Sequence, residues 1–165
     1  MNLNRLIKHL FSGHYQVRKL FSTEALDRIT ATIAKVESTH NGEIRFAIEA
    51  GLHWPQVFHG VTSRLRAVSV FGELRVWDTE ANNGVLIYLL LADRKVEIIA
   101  DRGVHSKVGD AGWQKLCEQM QSEFRVGSFE KGVITGIEEV GRLLNLHYPY
   151  SGVTPNELPD RPVVL

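Results

Sequence analysis

Cysteine is almost absent from this chain, and its scarcity excludes two kinds of site. The single cysteine, Cys117, cannot form an internal disulfide, and one thiol cannot build a cysteine-based metal centre. Cys117 lies in a helical pattern between Leu116 and Glu118, without a neighbouring cluster of His or Lys to lower its pKa. The pattern indicates a half-buried structural thiol rather than a reactive one.

Long apolar runs are also missing. The longest, Val85 to Leu91, is far shorter than the stretch of about 20 apolar residues that spans a bilayer. Residues 1–20 contain four Lys and Arg residues, but they lack the continuous apolar region and small-residue cleavage site of a signal peptide. We therefore expect a cytoplasmic protein without stable membrane insertion.

The chain has no excess of charge of either sign, because its 19 Lys and Arg residues balance its 19 Asp and Glu residues. A neutral chain produces no bulk field that would recruit nucleic acid, so we expect no nucleic-acid partner. Recognisable catalytic motifs are absent as well: the sequence contains no GxSxG, no phosphate-cradling glycine loop, no HExxH and no dinucleotide-binding fingerprint.

What the chain does contain is a strongly apolar segment that organises the rest. Val85 to Leu91 has the length of a strand buried on both faces, and Asp93-Arg94 is a plausible two-residue turn. Lys95 to Ala100 then alternates between polar and apolar residues, which is typical of a strand nearer the sheet edge. The sequence predicts a β-hairpin at the heart of a sheet.

The segments around this hairpin alternate between helical and strand patterns. Glu43 to Glu49 has period two and predicts a strand, and a helical crossover would place it parallel to the first hairpin strand. Helices are predicted at residues 4–10, 23–36, 55–71, 110–124 and 129–146. The fold class is therefore α/β, a three-layer α/β/α sandwich with a small mixed sheet built on a central β-hairpin.

The same patterns divide the chain into three parts. We expect an N-terminal helical extension at residues 1–22, an α/β/α domain at residues 23–147 and an irregular, proline-containing tail at residues 148–165.

Acidic and amide residues flank the predicted hairpin. A hairpin places the start of one strand beside the end of the other, so the loop before it and the segment after it should meet. The residues that we expect to converge there are Asp78, Glu80, Asn82, Asp101 and Asp110. Hard oxygen ligands of this kind suit Ca²⁺ or Mg²⁺. Two other interpretations stay open: Asp and Asn are common in turns, and Asp110 is a natural helix cap.

The hairpin segment resembles the TPM domain family, found in thylakoid-lumen, bacterial envelope and receptor-associated proteins. The resemblance rests on Asn83 to Ile87, Asp93 to Ile98 and Asp101 to Val104, with support from the Asp110 helix and the helix at Phe129 to Ile137. It covers roughly residues 23–147. The resemblance implies an α/β/α sandwich and, in some relatives, calcium bound at acidic loops on one sheet edge. It further implies either acid phosphatase activity or an accessory role.

Two functions therefore stay open at this stage. The first is a non-enzymatic binding module for an unidentified protein partner, with Trp54 and Trp77 as aromatic anchors. The second is a metal-dependent phosphatase-like hydrolase, in which Asp101 and Asp110 hold the ion and Arg102 contacts the phosphate. The lack of a recognisable nucleophile and base favours the binding module.

Overall fold

The computed structural model describes residues 3–152 and 156–165, which form a mixed α/β architecture. The predicted tail includes residues 153–155, which lie outside the described residues. The helices are α1 (Leu3–Phe11), α2 (His14–Leu20), α3 (Thr23–Glu37), α4 (Trp54–Phe58), α5 (Ser63–Glu73), α6 (Arg102–Arg125) and α7 (Phe129–His147). The strands are β1 (Glu43–Glu49), β2 (Gly84–Leu90), β3 (Lys95–Ala100) and β4 (Val163–Val164).

The sheet has the strand order β3-β2-β1-β4. β1 runs parallel to β2 as expected, β2 and β3 form the antiparallel hairpin, and β4 lies parallel to β1 on its other side. The hairpin loop spans residues 91–94, which is two residues longer than predicted, because Leu91 and Ala92 donate their backbone N–H groups to Glu49 and Ala50. β2 is thus an inner strand and β3 an edge strand.

Helices cover both faces of this sheet, which confirms the three-layer sandwich. One face carries Ile44, Phe46 and Ile48 of β1 and packs against α3, α6 and α7. The glycines of α7 let its neighbours approach closely, since a Cβ at Gly136 would collide with Met120 and one at Gly141 with Val36. The opposite face packs a smaller cluster against α4 and α5: Ala47, Val57, Ala67, Val70, Leu86 and Tyr88.

The helix predicted at residues 55–71 is in fact two helices, which corrects the sequence-based expectation. Gly60 has a positive φ of 72° and interrupts the helix. The hydroxyl of Thr62 then caps α5 by accepting a hydrogen bond from the N–H of Leu65 at 3.2 Å. The break changes the helical phase. One continuous helix would put Leu65 and Val68 on the same face as Val57, which is buried, but in the structure Leu65 and Val68 are exposed.

The helix predicted from Asp110 begins earlier. Asp101 is the N-cap of α6, which passes through a non-helical residue, Gly109 (φ 73°, ψ 167°), before its second segment starts at Asp110. This second segment buries its apolar residues at helical spacing, among them Trp113 and Leu116. The sequence pattern missed only the first segment, which is polar and carries little periodicity.

Side chains cover the free backbone edge of β3, the edge that does not pair with β2. Arg64 donates from Nη1 to the carbonyl of Ile98 at 2.6 Å. The N–H of Ile98 points at the thiol of Cys117, whose pKa is nevertheless raised to about 11 by burial. Cys117 is half-buried, as expected, and together with Arg64 it protects the edge from pairing with another chain.

The predicted irregular tail contributes a strand. Val163 and Val164 pair with Ala47 and Ile48, and the N–H of Leu165 donates to the Ile48 carbonyl at 2.9 Å. Proline-rich composition does not predict this pairing, because β4 is only two residues long and depends entirely on β1. None of the helices that the structure describes is long and apolar enough to cross a membrane.

Candidate functional site

The hairpin brings the two polar segments at its open end together. The N–H of Asp101 donates to the carbonyl of Gly84 at 2.8 Å, which extends the antiparallel ladder past β3. A Cβ at Gly103 would fall on the carbonyl oxygen of Asn82 and 2.8 Å from the hydroxyl of Tyr148. The loop before β2 therefore lies directly against the start of α6, and only glycine fits at position 103 without displacing it.

Asp101 is the central acidic residue of this arrangement. Its side chain is almost completely buried, with 7% of the residue surface exposed. Oδ1 accepts a hydrogen bond from the N–H of Arg102 at 2.6 Å. Oδ2 is buried and has no hydrogen-bond partner among the described residues. A buried carboxylate oxygen without a partner is costly, so it marks a place where a cation or donor is expected.

Asn83 directly precedes β2, whose first residue, Gly84, lies opposite Asp101, and Asn83 repeats this pattern. It is 1% exposed, and its Nδ2 donates to the backbone carbonyl of Asn41, which ties the β2 entry to the β1 entry. Its Oδ1 is buried and, within the described part of the chain, unpartnered. Asn83 begins the segment that carries the family resemblance, but no pattern in the sequence marks its side chain as a ligand.

We call Asn82, Asn83, Asp101, Gly103 and Tyr148 the Asp101 site. Tyr148 closes it from the end of α7, where its backbone carbonyl accepts from the N–H of Asn41 at 2.9 Å. Burial and then the negative charge of Asp101 raise the pKa of Tyr148, so its hydroxyl stays protonated at neutral pH.

The other predicted ligands are placed differently. Asp78 and Glu80 are exposed on the loop before β2, where the N–H of Glu80 donates to the carboxylate of Glu157 at 3.1 Å. The Asp110 side chain is 91% exposed, and it lines a separate cleft of about 400 Å³ between β3 and α6. Across residues 3–152 and 156–165, no group of three or more His, Cys, Asp and Glu side chains is arranged to hold a metal ion.

A second polar cluster lies at the same end of the sheet, in a cavity of about 290 Å³. Glu43 at the start of β1 accepts backbone hydrogen bonds from Glu157 at 3.3 Å and from Leu158 at 3.1 Å, so it holds the tail in place. Glu37 accepts from the N–H of Ile44 at 2.6 Å. We call Glu37, His40, Glu43, Arg45 and Asp160 the Glu43 cluster.

Burial dominates the electrostatics of the Glu43 cluster. It raises the pKa of Glu37 to about 9, with Glu43 and Asp160 adding to the shift, so Glu37 is neutral at pH 7. Burial lowers the pKa of His40 to about 4. Because His40 Nδ1 accepts from the N–H of Gly42 at 3.1 Å, the proton of the neutral ring belongs on Nε2, which has no partner among the described residues.

A comparison with protein families shows the family of this chain. The family model of the TPM domain matches residues 15–143, which include the whole hairpin, Asn82, Asn83 and Asp101. The chain belongs to the TPM domain family. No curated protein matches this TPM domain chain.

Two solved structures are similar to this TPM domain. The NMR structure of BA42 protein from the psychrophilic bacterium Bizionia argentinensis is 29% identical, covers 87% of this chain and 94% of its own, and has a TM-score of 0.77. The solution NMR structure of the N-terminal domain of a P. gingivalis protein is 19% identical, covers 81% of this chain and 83% of its own, and has a TM-score of 0.60. The second likeness shows the fold alone.

Proposed function

We propose that this TPM domain is a binding module that binds a divalent cation, preferentially calcium, at the Asp101 site. The observation that carries the proposal is the pair of buried, unpartnered oxygens, Asp101 Oδ2 and Asn83 Oδ1, on adjoining strand ends. Both are hard oxygen donors, which calcium and magnesium prefer.

The donor set favours calcium over magnesium. The oxygen donors on these segments are one carboxylate, one side-chain amide oxygen and the backbone carbonyl of Asn82. Such a mixed set suits calcium better, because Mg²⁺ demands a near-ideal octahedron. Calcium takes six to eight oxygens, so water would supply the remainder. With one carboxylate in the set we expect weak binding, with a Kd on the order of 10⁻⁴ to 10⁻³ M.

Thermal unfolding across a calcium titration tests this proposal. At a hundredfold excess over Kd the native state should gain about 2.7 kcal/mol, which raises Tm. Asp101→Asn should abolish the gain. Asparagine is as good an N-cap as aspartate, so this variant keeps the helix start and removes the charge.

Asp110→Asn is the matched control, because it removes the same charge from an exposed side chain in the other cleft. It should leave the calcium effect intact. A wild-type Tm that does not respond to calcium or magnesium, or a response lost equally in both variants, contradicts the proposed site.

Two features support binding over catalysis. Cys117, the one thiol, is a poor nucleophile because burial raises its pKa to about 11. The buried histidines are occupied by structural contacts: His40 accepts from Gly42, and His9 accepts from the N–H of Leu52 at 2.8 Å. The recognition surface for a protein partner would then be formed by the loops that the cation orders.

A phosphatase-like hydrolase is the second candidate, and one observation favours it. Arg102 follows Asp101 directly and is exposed, so its guanidinium is available to a phosphate held by a cation at the Asp101 site. Hydrolysis of p-nitrophenyl phosphate is measured with calcium, with magnesium, with chelator and with Asp101→Asn. Cation-dependent turnover that Asp101→Asn removes supports the hydrolase, and equal rates in all four conditions reject it.

A further inference from the structure

The first helix, α1, is oriented with its apolar face to solvent. Leu3, Ile7, Leu10 and Phe11 are all exposed and lie within an arc of about 100° on a helix that turns 100° per residue. The face that packs against the protein carries His9, which is buried, and Leu6, which is half-buried against the smaller core cluster. A surface helix of a globular protein normally has the opposite arrangement.

Polar contacts hold α1 in this orientation. Arg5 donates from Nη2 to Asp93 Oδ2 at 2.9 Å and to the carbonyl of Val61 at 2.8 Å. His9 Nδ1 accepts from the N–H of Leu52 at 2.8 Å, and its Nε2 lies 3.1 Å from Asp93 Oδ1. Rotating the apolar face inward would break this network and leave Asp93 without its partners. The exposed face is therefore a built feature of the fold.

Neighbouring elements extend the apolar surface of α1. α4 packs against α1 and exposes Trp54 and Phe58, and α2 exposes Tyr15. Exposed contiguous apolar surface with aromatic side chains is typical of an interaction site. We call α1, Tyr15, Trp54 and Phe58 the α1 face.

The chain segment that forms α1 and α2 is basic. The first acidic residue of the chain is Glu24, so residues 1–23 contain cations but no carboxylate side chains. Arg5 is engaged by Asp93, while Lys8, Arg18 and Lys19 are exposed. A neutral chain thus carries a basic segment, residues 1–23, that also bears most of the exposed apolar side chains of the α1 face.

We propose that the α1 face docks on an anionic lipid membrane, with α1 lying in the plane of the interface. An apolar helix face flanked by Lys and Arg and by aromatic side chains is the pattern of interfacial helices, which bury their apolar side at the headgroup boundary. A second copy of the chain is a poorer occupant. A two-fold contact through this face would bring two copies of the same basic segment together, and like charges repel.

Vesicle sedimentation of the full chain tests the proposal. The chain should bind vesicles of phosphatidylcholine with about 30% phosphatidylglycerol and bind pure phosphatidylcholine far less, because anionic lipid attracts basic residues near the surface. Raising the ionic strength to about 1 M, where the Debye length is about 3 Å, should release most of the protein. Lys8→Gln and Lys19→Gln should each lower the partition coefficient roughly fivefold.

The apolar contribution has a matched control within the chain. Leu10 is 64% exposed on the α1 face, and Leu146 is 66% exposed near the end of α7. Leu10→Ser should lower the partition coefficient roughly tenfold or more, whereas Leu146→Ser should leave it unchanged. Both side chains are exposed, so circular dichroism melts should match the wild type and exclude unfolding as the cause.

Three outcomes overturn the proposal. Equal binding to neutral and anionic vesicles removes the role of charge, and equal binding by Leu10→Ser and the wild type removes the role of α1. A wild-type dimer in solution that Leu10→Ser dissociates, without vesicle binding, makes the α1 face a contact between copies of the chain.

Discussion

Buried polar atoms without partners are concentrated at one end of the sheet. Asp101 Oδ2, Asn83 Oδ1 and His40 Nε2 all lie where β1 and β2 begin and β3 ends, and none has a hydrogen-bond partner within the described ranges. Leaving such an atom unsatisfied costs about 1–3 kcal/mol. Two of the three atoms, Asp101 Oδ2 and Asn83 Oδ1, are oxygens, and the calcium proposal rests on these two.

Glu37 gives a prediction for the pH dependence of stability. Its pKa is about 9 in the folded protein and near 4.5 when unfolded, so between these values the native state binds one proton more than the unfolded state. The free energy of unfolding therefore falls as pH rises through this window, by up to about 1.4 kcal/mol per pH unit. Glu37→Gln should flatten that decline between pH 6 and about 9, as measured by urea unfolding.

Glu130→Gln is the control for this measurement. Arg28 lowers the pKa of Glu130 by a side-chain hydrogen bond, so the stabilising contribution of Glu130 is present above its unfolded pKa and is lost only as the pH falls below it. Glu130→Gln should shift the whole profile between pH 6 and about 9 without changing its slope. A Glu37→Gln profile as steep as the wild type would show that Glu37 ionises normally.

Glycine at position 84 explains the Asn-Gly motif at the hairpin entry. A Cβ there would collide with the backbone carbonyl of Val76, which cannot move as a side chain can. Gly84→Ala should therefore lower the free energy of unfolding by about 1–3 kcal/mol, as overpacking does. The measurement is the urea midpoint at constant m value.

Gly72→Ala is the matched substitution in open space. Gly72 lies in α5, and a Cβ added there would have no neighbouring atom within 4 Å, so alanine fits without a collision. It should stabilise the protein by about 0.5–1 kcal/mol, since glycine is a poor helix former. If Gly84→Ala and Gly72→Ala lower the free energy of unfolding equally, then the cause is not the contact of Gly84 with Val76.

At the scale of elements, the tail is where the sequence pattern and the structure differ most. Glu43 binds the N–H groups of Glu157 and Leu158, and β4 pairs with β1 directly after. Arg45 donates from Nη1 to the carbonyl of Arg161 at 3.2 Å. The alternation of β1 predicts that Glu43 and Arg45 face solvent, but the tail buries both of them.

This packing predicts that Glu43 fastens the tail. Glu43→Gln leaves one carbonyl oxygen for two N–H donors and adds a donor that faces them. Hydrogen exchange at Leu158 and Leu165 should therefore accelerate roughly tenfold or more, because a hydrogen bond to a charged group contributes about 1.5–3 kcal/mol. Hydrogen exchange read by NMR measures both sites, and exchange in α7 should stay unchanged.

Glu157→Gln supplies the comparison for the tail. Glu157 is exposed, and its side chain contacts the N–H of Glu80 rather than the tail backbone. It should leave the exchange of Leu165 near the wild-type rate. If Glu43→Gln also leaves it there, then β4 pairing alone holds the tail, and Glu43 has no fastening role.

The whole molecule has no net charge, but its charges are unevenly distributed. α1, which belongs to the basic segment at residues 1–23, lies at the end of the sheet where β1 and β2 finish. Its Arg5 contacts Asp93, and its His9 contacts Leu52. The Glu43 cluster lies where those strands begin. Net charge therefore predicts the absence of a bulk field but not the local basic region on which the membrane proposal depends.

The expected affinity for calcium bears on the compartment. A Kd of about 10⁻⁴ to 10⁻³ M is the range of extracellular modules, while cytosolic sensors bind in the range of about 10⁻⁷ to 10⁻⁵ M. The cytoplasmic location and the weak site are both predictions, and they point to different compartments. The calcium titration separates them, because a site of the weaker class would hold calcium only outside the cytosol.

The sequence by itself determined β1, the β2–β3 hairpin, most helices and the family. These features are local: period two in Glu43 to Glu49 and the apolar run from Val85 need only neighbouring residues to be read. It also predicted that the loop before β2 would lie beside the segment after β3, since a hairpin brings its ends together. The division at residues 22 and 147 stays a prediction.

Only the tertiary structure decided which polar atoms are buried and which apolar ones are exposed. Arg5 reaches Asp93 across 88 positions, and Glu43 reaches Leu158 across 115. Such contacts decide that Glu43 faces the tail and that α1 turns its apolar side to solvent. No local pattern encodes them, because burial depends on which distant segment covers a residue.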